Sequence, residues 1–108
     1  MRLYVSGPVT GRPDGNRAAF EEARAALEVA GHDVFVPHDL VLESDTHETA
    51  MLICLNELTG RDFFRGQVQP RFNGVALLDW WHVSKGACVE RDVAEACGIE
   101  CRPFRDWL

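Results

Sequence analysis

"RLYVSGPVTGRPDGNRAAFEEARAALEVAGHDVFVP", residues 2–37, decides the fold. Its opening, "RLYVSG" at 2–7, is a short β-rich apolar run halted at Gly7-Pro8, as a buried strand entering a loop should be. The loop "GPVTGRPDGN" holds three Gly and two Pro in ten residues and delivers the chain to Asn16, a candidate N-cap. From Arg17 to Ala30, Phe20, Ala23, Leu27 and Ala30 recur at helical spacing, with Glu21, Glu22 and Arg24 on other faces and Gly31 as the stop. "DVFVP" at 33–37 is a second short strand ended by Pro37. Strand, loop, helix and strand in that order imply a right-handed crossover and a parallel sheet.

The pattern continues outward. After a polar loop at 38–46, "HETAMLICLNELTG" predicts a helix capped by Ser44, Asp45 or Thr46 and stopped by Gly60, with Met51, Leu52, Leu55 and Leu58 toward the sheet. Residues 60–71, "GRDFFRGQVQPR", show no sustained period and are expected to be loop with at most a helical turn. "GVALLDWW" at 74–81 opens with a continuous apolar run, the signature of a central parallel strand covered on both faces. "HVSKGACVERDVAEACG" at 82–98 is a third helix, and "IECRPF" a last strand. The expectation is βαβαβαβ: one α/β domain over residues 1–108, three-layer and Rossmann/flavodoxin-like, with a parallel sheet of about four strands.

With 11 Lys and Arg against 17 Asp and Glu, the net charge is −6. That argues against a broad basic face for a nucleic acid polymer or an anionic membrane, and leaves room for a local cationic pocket. No apolar run approaches the ~20 residues of a membrane span, and "MRLYVSG" lacks the apolar centre of a signal peptide, so a cytoplasmic location is expected. Cys54, Cys88, Cys97 and Cys101 lack paired C-x-x-C spacing and are expected to be reduced packing residues. A metal site from Cys88, Cys97, Cys101 and His82 is the lesser alternative, so neither metal nor cofactor is expected.

In an open parallel sheet the ligand crevice lies beyond the carboxyl ends of the strands. "SGPVTGRPDGN", "PHDL" and "DWWHVSKGA" arrive there. The first is Gly-rich but matches neither the dinucleotide nor the Walker pattern. Ser84, Lys85 and Gly86 open the third helix, where free N–H groups make either a plain N-cap or a phosphate site, with Lys85 or Arg12 adding charge. Glu90 follows on the same stripe as Ala87, Ala94 and Cys97, the face that should be buried. A buried Glu is paired or reactive, and periodicity alone leaves a satisfied or solvated carboxylate ahead of a nucleophile. Tyr4 is expected in the core unless its hydroxyl reaches Glu90. Trp80 and Trp81 either pack or offer a ring to a base. His38 and His47 are expected at the surface, and Asp62 is a possible second carboxylate.

Taken together, "LYVSGPVTG", the Asn and Phe of the first helix, and "WWHVSKGACVERDVAEACGI" resemble the nucleoside 2-deoxyribosyltransferase superfamily, most nearly its small phage and bacterial branch of unassigned function. That branch runs Y-[IV]-S-G-P-[MV]-T-G and later L-P-G-W-E-x-S-x-G-A-x-x-E, and the likeness covers the chain except about 60–71. The superfamily includes deoxyribosyltransferases and deoxynucleoside 5′-monophosphate N-glycosidases. The resemblance implies Glu90 as nucleophile, Asp62 as acid for the leaving base and Tyr4 beside them, with Ser84 on the phosphate and the Gly7-Pro8 loop around the substrate. The residues themselves add Gly86, which lets a ligand approach the helix start, Trp81 as a stacking ring and Asn16 to the candidate substrate-binding set. It also implies homodimers or higher homo-oligomers whose neighbours complete the pocket. Where the branch has L-P-G-W-E, this chain has Leu78, Asp79, Trp80, Trp81 and His82, and an Asp79 beside a phosphate would repel it.

The expected function is therefore cleavage or transfer of an N-glycosidic bond in a nucleoside or nucleoside 5′-monophosphate. A non-catalytic nucleotide-sensing or sequestering module is the alternative. A partner-binding α/β domain using Trp80, Trp81, Phe63, Phe64 and Trp107 is the third reading.

Overall fold

The computed structural model describes residues Met1–Leu108. In chain order the elements are β1 (Arg2–Ser6), α1 (Arg17–Val29), β2 (Asp33–Phe35), α2 (His47–Leu58), β3 (Arg61–Phe64), β4 (Gln67–Pro70), β5 (Gly74–Leu77), α3 (Lys85–Ala96) and β6 (Glu100–Pro103). Four strands form one parallel sheet in the order β2-β1-β5-β6. Helices cover both faces, so the domain is a three-layer Rossmann/flavodoxin-like α/β fold.

The two cores follow from the period-2 alternation of the central strands. Leu3 and Val5 of β1, with Ala76 of β5, join Phe20, Ala23 and Leu27 of α1 on one face. Tyr4 of β1, with Val75 and Leu77 of β5, points to the other face, toward Cys54 and Leu58 of α2 and Ala94 of α3. No helix is long and apolar enough to cross a membrane.

Three local expectations are corrected. Residues 61–70 form an antiparallel hairpin rather than loop or helical turn. Arg65 (φ 52°) and Gly66 (φ 77°) are the two left-handed residues of its tight turn, and every residue of both strands is exposed. A hairpin exposed on both faces has no buried stripe, so its sequence shows no alternation to detect. Leu52 does not face the sheet but is 72% exposed, and Cys54 occupies the buried position with Leu58. Asn16 precedes α1 without capping it: its backbone is left-handed (φ 62°) and its amide donates instead to the Pro8 carbonyl at 2.9 Å.

Gly74, at the start of β5, is required by contact. A β-carbon there would stand 2.3 and 2.4 Å from Cη2 and Cζ2 of Trp107, whose indole N–H is fixed to the Val75 carbonyl at 3.2 Å. Gly74→Ala is expected to cost about 2–3 kcal/mol, seen as a lower urea midpoint with an unchanged m-value.

Candidate functional site

Where β1, β2 and β5 end, a cavity of about 730 Å3 opens, within the size range of small-molecule sites. Gly7 and Pro8 after β1, Pro37 and His38 after β2, and Ser84, Lys85 and Gly86 after β5 all line it. The start of α2, Thr46 and His47, completes the wall, so two helix N-termini reach the same cavity. Their positive ends and free N–H groups favour an anion there, and Arg12 and Lys85 add cationic charge. Ser84 is an N-cap whose Oγ accepts from Ala87 N at 3.2 Å, leaving its hydroxyl hydrogen free to donate.

Glu90 forms the floor. Ala87 and Ala94 flank it on the buried stripe of α3, and β1 presents Tyr4 and Ser6 two residues apart on the facing side. The helical and strand periods therefore bring one carboxylate between two hydroxyls. Tyr4 donates its hydroxyl to Glu90 Oε2, and Ser6 donates to Oε1 at 2.9 Å. Glu90 is 5% exposed, and burial pushes its pKa up to about 7 although both hydroxyls pull it down. Burial and the Glu90 charge likewise raise Tyr4 well above its usual value and Cys54 to about 11, so both stay protonated near neutrality. At pH 7 Glu90 is thus the group in this cluster that is poised to gain or lose a proton.

Ser6 was not singled out from the sequence. It follows Tyr4 at the strand period, which was the available signal, but a Ser before Gly-Pro looks like the end of a strand.

Among the other expected site residues, Gly7, Pro8, Ser84 and Gly86 lie on the cavity wall. Two of these glycines have packing reasons: a β-carbon on Gly7 would stand 2.7 Å from Leu78 Cβ, and one on Gly86 3.2 Å from Met51 Sδ. Asn16 touches the site indirectly, pinning the Gly-Pro loop through Pro8. Trp81 does not line the cavity; it packs on the α2/α3 side of the core with the Arg91 guanidinium 5.2 Å from its ring centre.

Asp62 stands far from its expected place. It lies on β3 and pairs at 3.6 Å with Arg2, at the amino edge of the sheet, whereas the cavity is at the carboxyl edge. The register through 60–71 had no periodicity to fix it. Asp14, Glu43 and Asp45, by contrast, line the cavity, as do His38 and His47. His38 Nε2 lies 2.9 Å from the Gly15 carbonyl, so that nitrogen carries the proton and holds the loop after β1.

Asp79 does not repel an anion at Ser84. It is exposed and forked by Arg105 at 2.9 and 3.3 Å, which holds its carboxyl below the usual range. Trp80 next to it has a left-handed backbone (φ 67°) at the position where the resembled pattern carries Gly. No three His, Cys, Asp or Glu side chains gather as metal ligands, and all four cysteines are free thiols.

Fold and site together define an α/β protein with a buried, hydroxyl-braced carboxylate beneath a cavity that two helix N-termini and side chains of both charges line. The chain belongs to the family described as Domain of unknown function (DUF4406), whose model matches residues 1–102. No curated protein and no solved structure matches it.

Proposed function

We propose that the protein breaks or exchanges the N-glycosidic bond of a nucleoside or nucleoside 5′-monophosphate, as the resemblance to the nucleoside 2-deoxyribosyltransferase superfamily implies. The observation that carries this reading is the Tyr4–Glu90–Ser6 cluster: a carboxylate short of water and half ionised at neutral pH, at the floor of a cavity. Ser84 and Glu90 are six residues apart, about 9 Å of helix rise, and the Glu side chain leans back toward the helix start. A sugar with its 5′ phosphate ester spans such a gap, its phosphate on Ser84 and the free N–H groups and its anomeric carbon over Glu90.

In the proposed reaction a Glu90 oxygen bonds to the anomeric carbon as the carbon–nitrogen bond breaks, and that bond's electron pair leaves on the base. The base takes up a proton, for which Asp45 and His47 on the cavity wall are the candidates in place of Asp62. Water then opens the glycosyl ester in hydrolysis, or a second base does so in transfer. Tyr4 and Ser6 hold the carboxylate in line.

The test is a panel of deoxynucleosides, ribonucleosides and their 5′-monophosphates, followed by chromatography for free base and for exchanged base. No turnover above a Glu90→Ala control on any of them rejects the reading; ligand-induced thermal stabilisation without product would favour the nucleotide-binding alternative instead. Ser84→Ala is expected to lose about 1 kcal/mol of stability through the cap. It should also raise KM about tenfold or more for monophosphates while leaving that for nucleosides nearly unchanged. Equal effects on both substrate types would remove Ser84 from phosphate binding.

A further inference from the structure

The turn between β5 and α3 holds a side chain that neither the core nor the cavity accounts for. Trp80 has a left-handed backbone, φ 67°, a conformation that suits Gly and strains a bulky residue. Its ring is 61% exposed, whereas Trp107 is 8% exposed and Trp81 packs against the core. Burial therefore does not offset the strain. Strained positions cluster at ligand clamps, and an exposed indole is a ready stacking surface. The ring lies beside that of His82, which is also exposed, with centres 5.9 Å apart and planes 32° from parallel.

This aromatic ledge adjoins the cavity mouth. A single 3-10 turn links Trp80 to Ser84, closed by Val83 N–H on the Trp80 carbonyl at 3.2 Å and Ser84 N–H on the Trp81 carbonyl at 3.0 Å. Val83 and Ser84 line the cavity, and Trp80 and His82 stand outside it. At about 2 Å of rise per residue, the four steps from Ser84 back to Trp80 span about 8 Å. Glu90 lies the other way, further along α3 at the cavity floor. A phosphate on Ser84 would thus have the carboxylate on its inner side and an open indole on its outer side.

We propose that Trp80, with His82 beside it, is a second nucleobase site, and that the ligand is a dinucleotide. Its bridging phosphate lies at Ser84, its inner sugar reaches Glu90, and its outer base stacks on the Trp80 ring. The proposal rests on the phosphate placement in the proposed function and adds the class of substrate to it. Every base has a π face, so the outer position selects a planar group and not one particular base. The net charge of −6 disfavours a longer strand, which suits the ledge to a single additional nucleoside.

Titration of Glu90→Gln protein followed by tryptophan fluorescence tests it, because binding is then read without turnover. The probes are the four 2′-deoxynucleoside 5′-monophosphates, their methyl phosphate esters, and the dinucleotides that join a deoxyadenosine 3′-oxygen to the same phosphate. Each dinucleotide should bind at least about tenfold tighter than the methyl ester of equal charge, and should quench the emission. Adding Trp80→Gly should abolish both the advantage and the quench while the methyl ester binds as before. That substitution also relieves the left-handed strain, so the melting temperature should stay level or rise. A clearly lower one makes Trp80 a packing residue and overturns the proposal. Equal affinity for dinucleotide and methyl ester, or no binding of either, overturns it too. So does a Trp80→Gly variant that changes the sedimentation of the free protein and not its dinucleotide affinity, since the ring then serves a protein contact. The two readings fail separately: ledge-dependent binding without base release by the wild-type protein removes the glycosidic reading alone. Base release from monophosphates with no preference for dinucleotides removes the ledge alone.

Discussion

Replacing Glu90 by Gln is expected to remove release of free base from every substrate the wild-type protein turns over, lowering kcat by about four orders of magnitude with KM little changed. Gln matches Glu in shape and its amide oxygen still accepts one hydroxyl, so the packing of α3 on β1 should persist. What it loses is the anionic oxygen that forms the bond to the anomeric carbon. Neither of the other titratable groups in the cluster replaces it: the Cys54 thiol, pushed up to about 11, is almost wholly protonated at neutral pH, and burial and the Glu90 charge hold the Tyr4 phenol well above its usual value. Glu90→Asp tests position separately from charge. Shortening the side chain by one methylene, about 1.5 Å, withdraws the carboxylate from Tyr4 and Ser6 and should cost about a hundredfold or more. Chromatographic assay of base release under saturating substrate reads both effects. Activity of Glu90→Gln within tenfold of wild type would eliminate Glu90 as nucleophile.

Glu90 was legible because an α-helix repeats. One Glu between Ala87 and Ala94 breaks the apolar stripe, and the break marks the place where a carboxylate is held out of water; Cys97, expected on the same stripe, lies past the last turn of α3 and is exposed. The β1–α1–β2 order was legible for the same reason: both faces of β1 and one face of α1 are buried, so burial writes a period into the residues. Where burial is absent, so is the signal. The hairpin at 61–70 touches solvent on every residue, and its turn uses Arg65-Gly66 rather than the Asn-Gly that announces such turns. Asp62, assigned by resemblance across that stretch, went astray with it. Side-chain partners across long separations were equally hidden: Asp79 meets Arg105 and Arg2 meets Asp62 only once the sheet has formed.

The buried carboxylate should also give stability and activity opposite pH dependences. Glu90 in the unfolded chain titrates near its ordinary value of 4.5, and in the folded chain near 7, raised by burial against the pull of Tyr4 and Ser6. Between those values the folded state holds a proton that the unfolded state has released. The stability this contributes is complete below about pH 4.5 and is lost as pH rises through 7, a total of about 3 kcal/mol. Glu90→Gln carries no such proton. Relative to wild type it should therefore gain about 2–3 kcal/mol between pH 5 and pH 8, a comparison in which every other titrating group cancels. Urea unfolding of both proteins at the two pH values measures it, and equal pH dependences would place Glu90 in water in the folded state. In the proposed reaction the deprotonated form attacks, so kcat/KM should climb through about pH 7 and level off above it, as stability falls. Tyr4→Phe and Ser6→Ala each remove a hydroxyl that favours the anion. Both should displace that rising limb to higher pH, because burial then acts on Glu90 with less opposition.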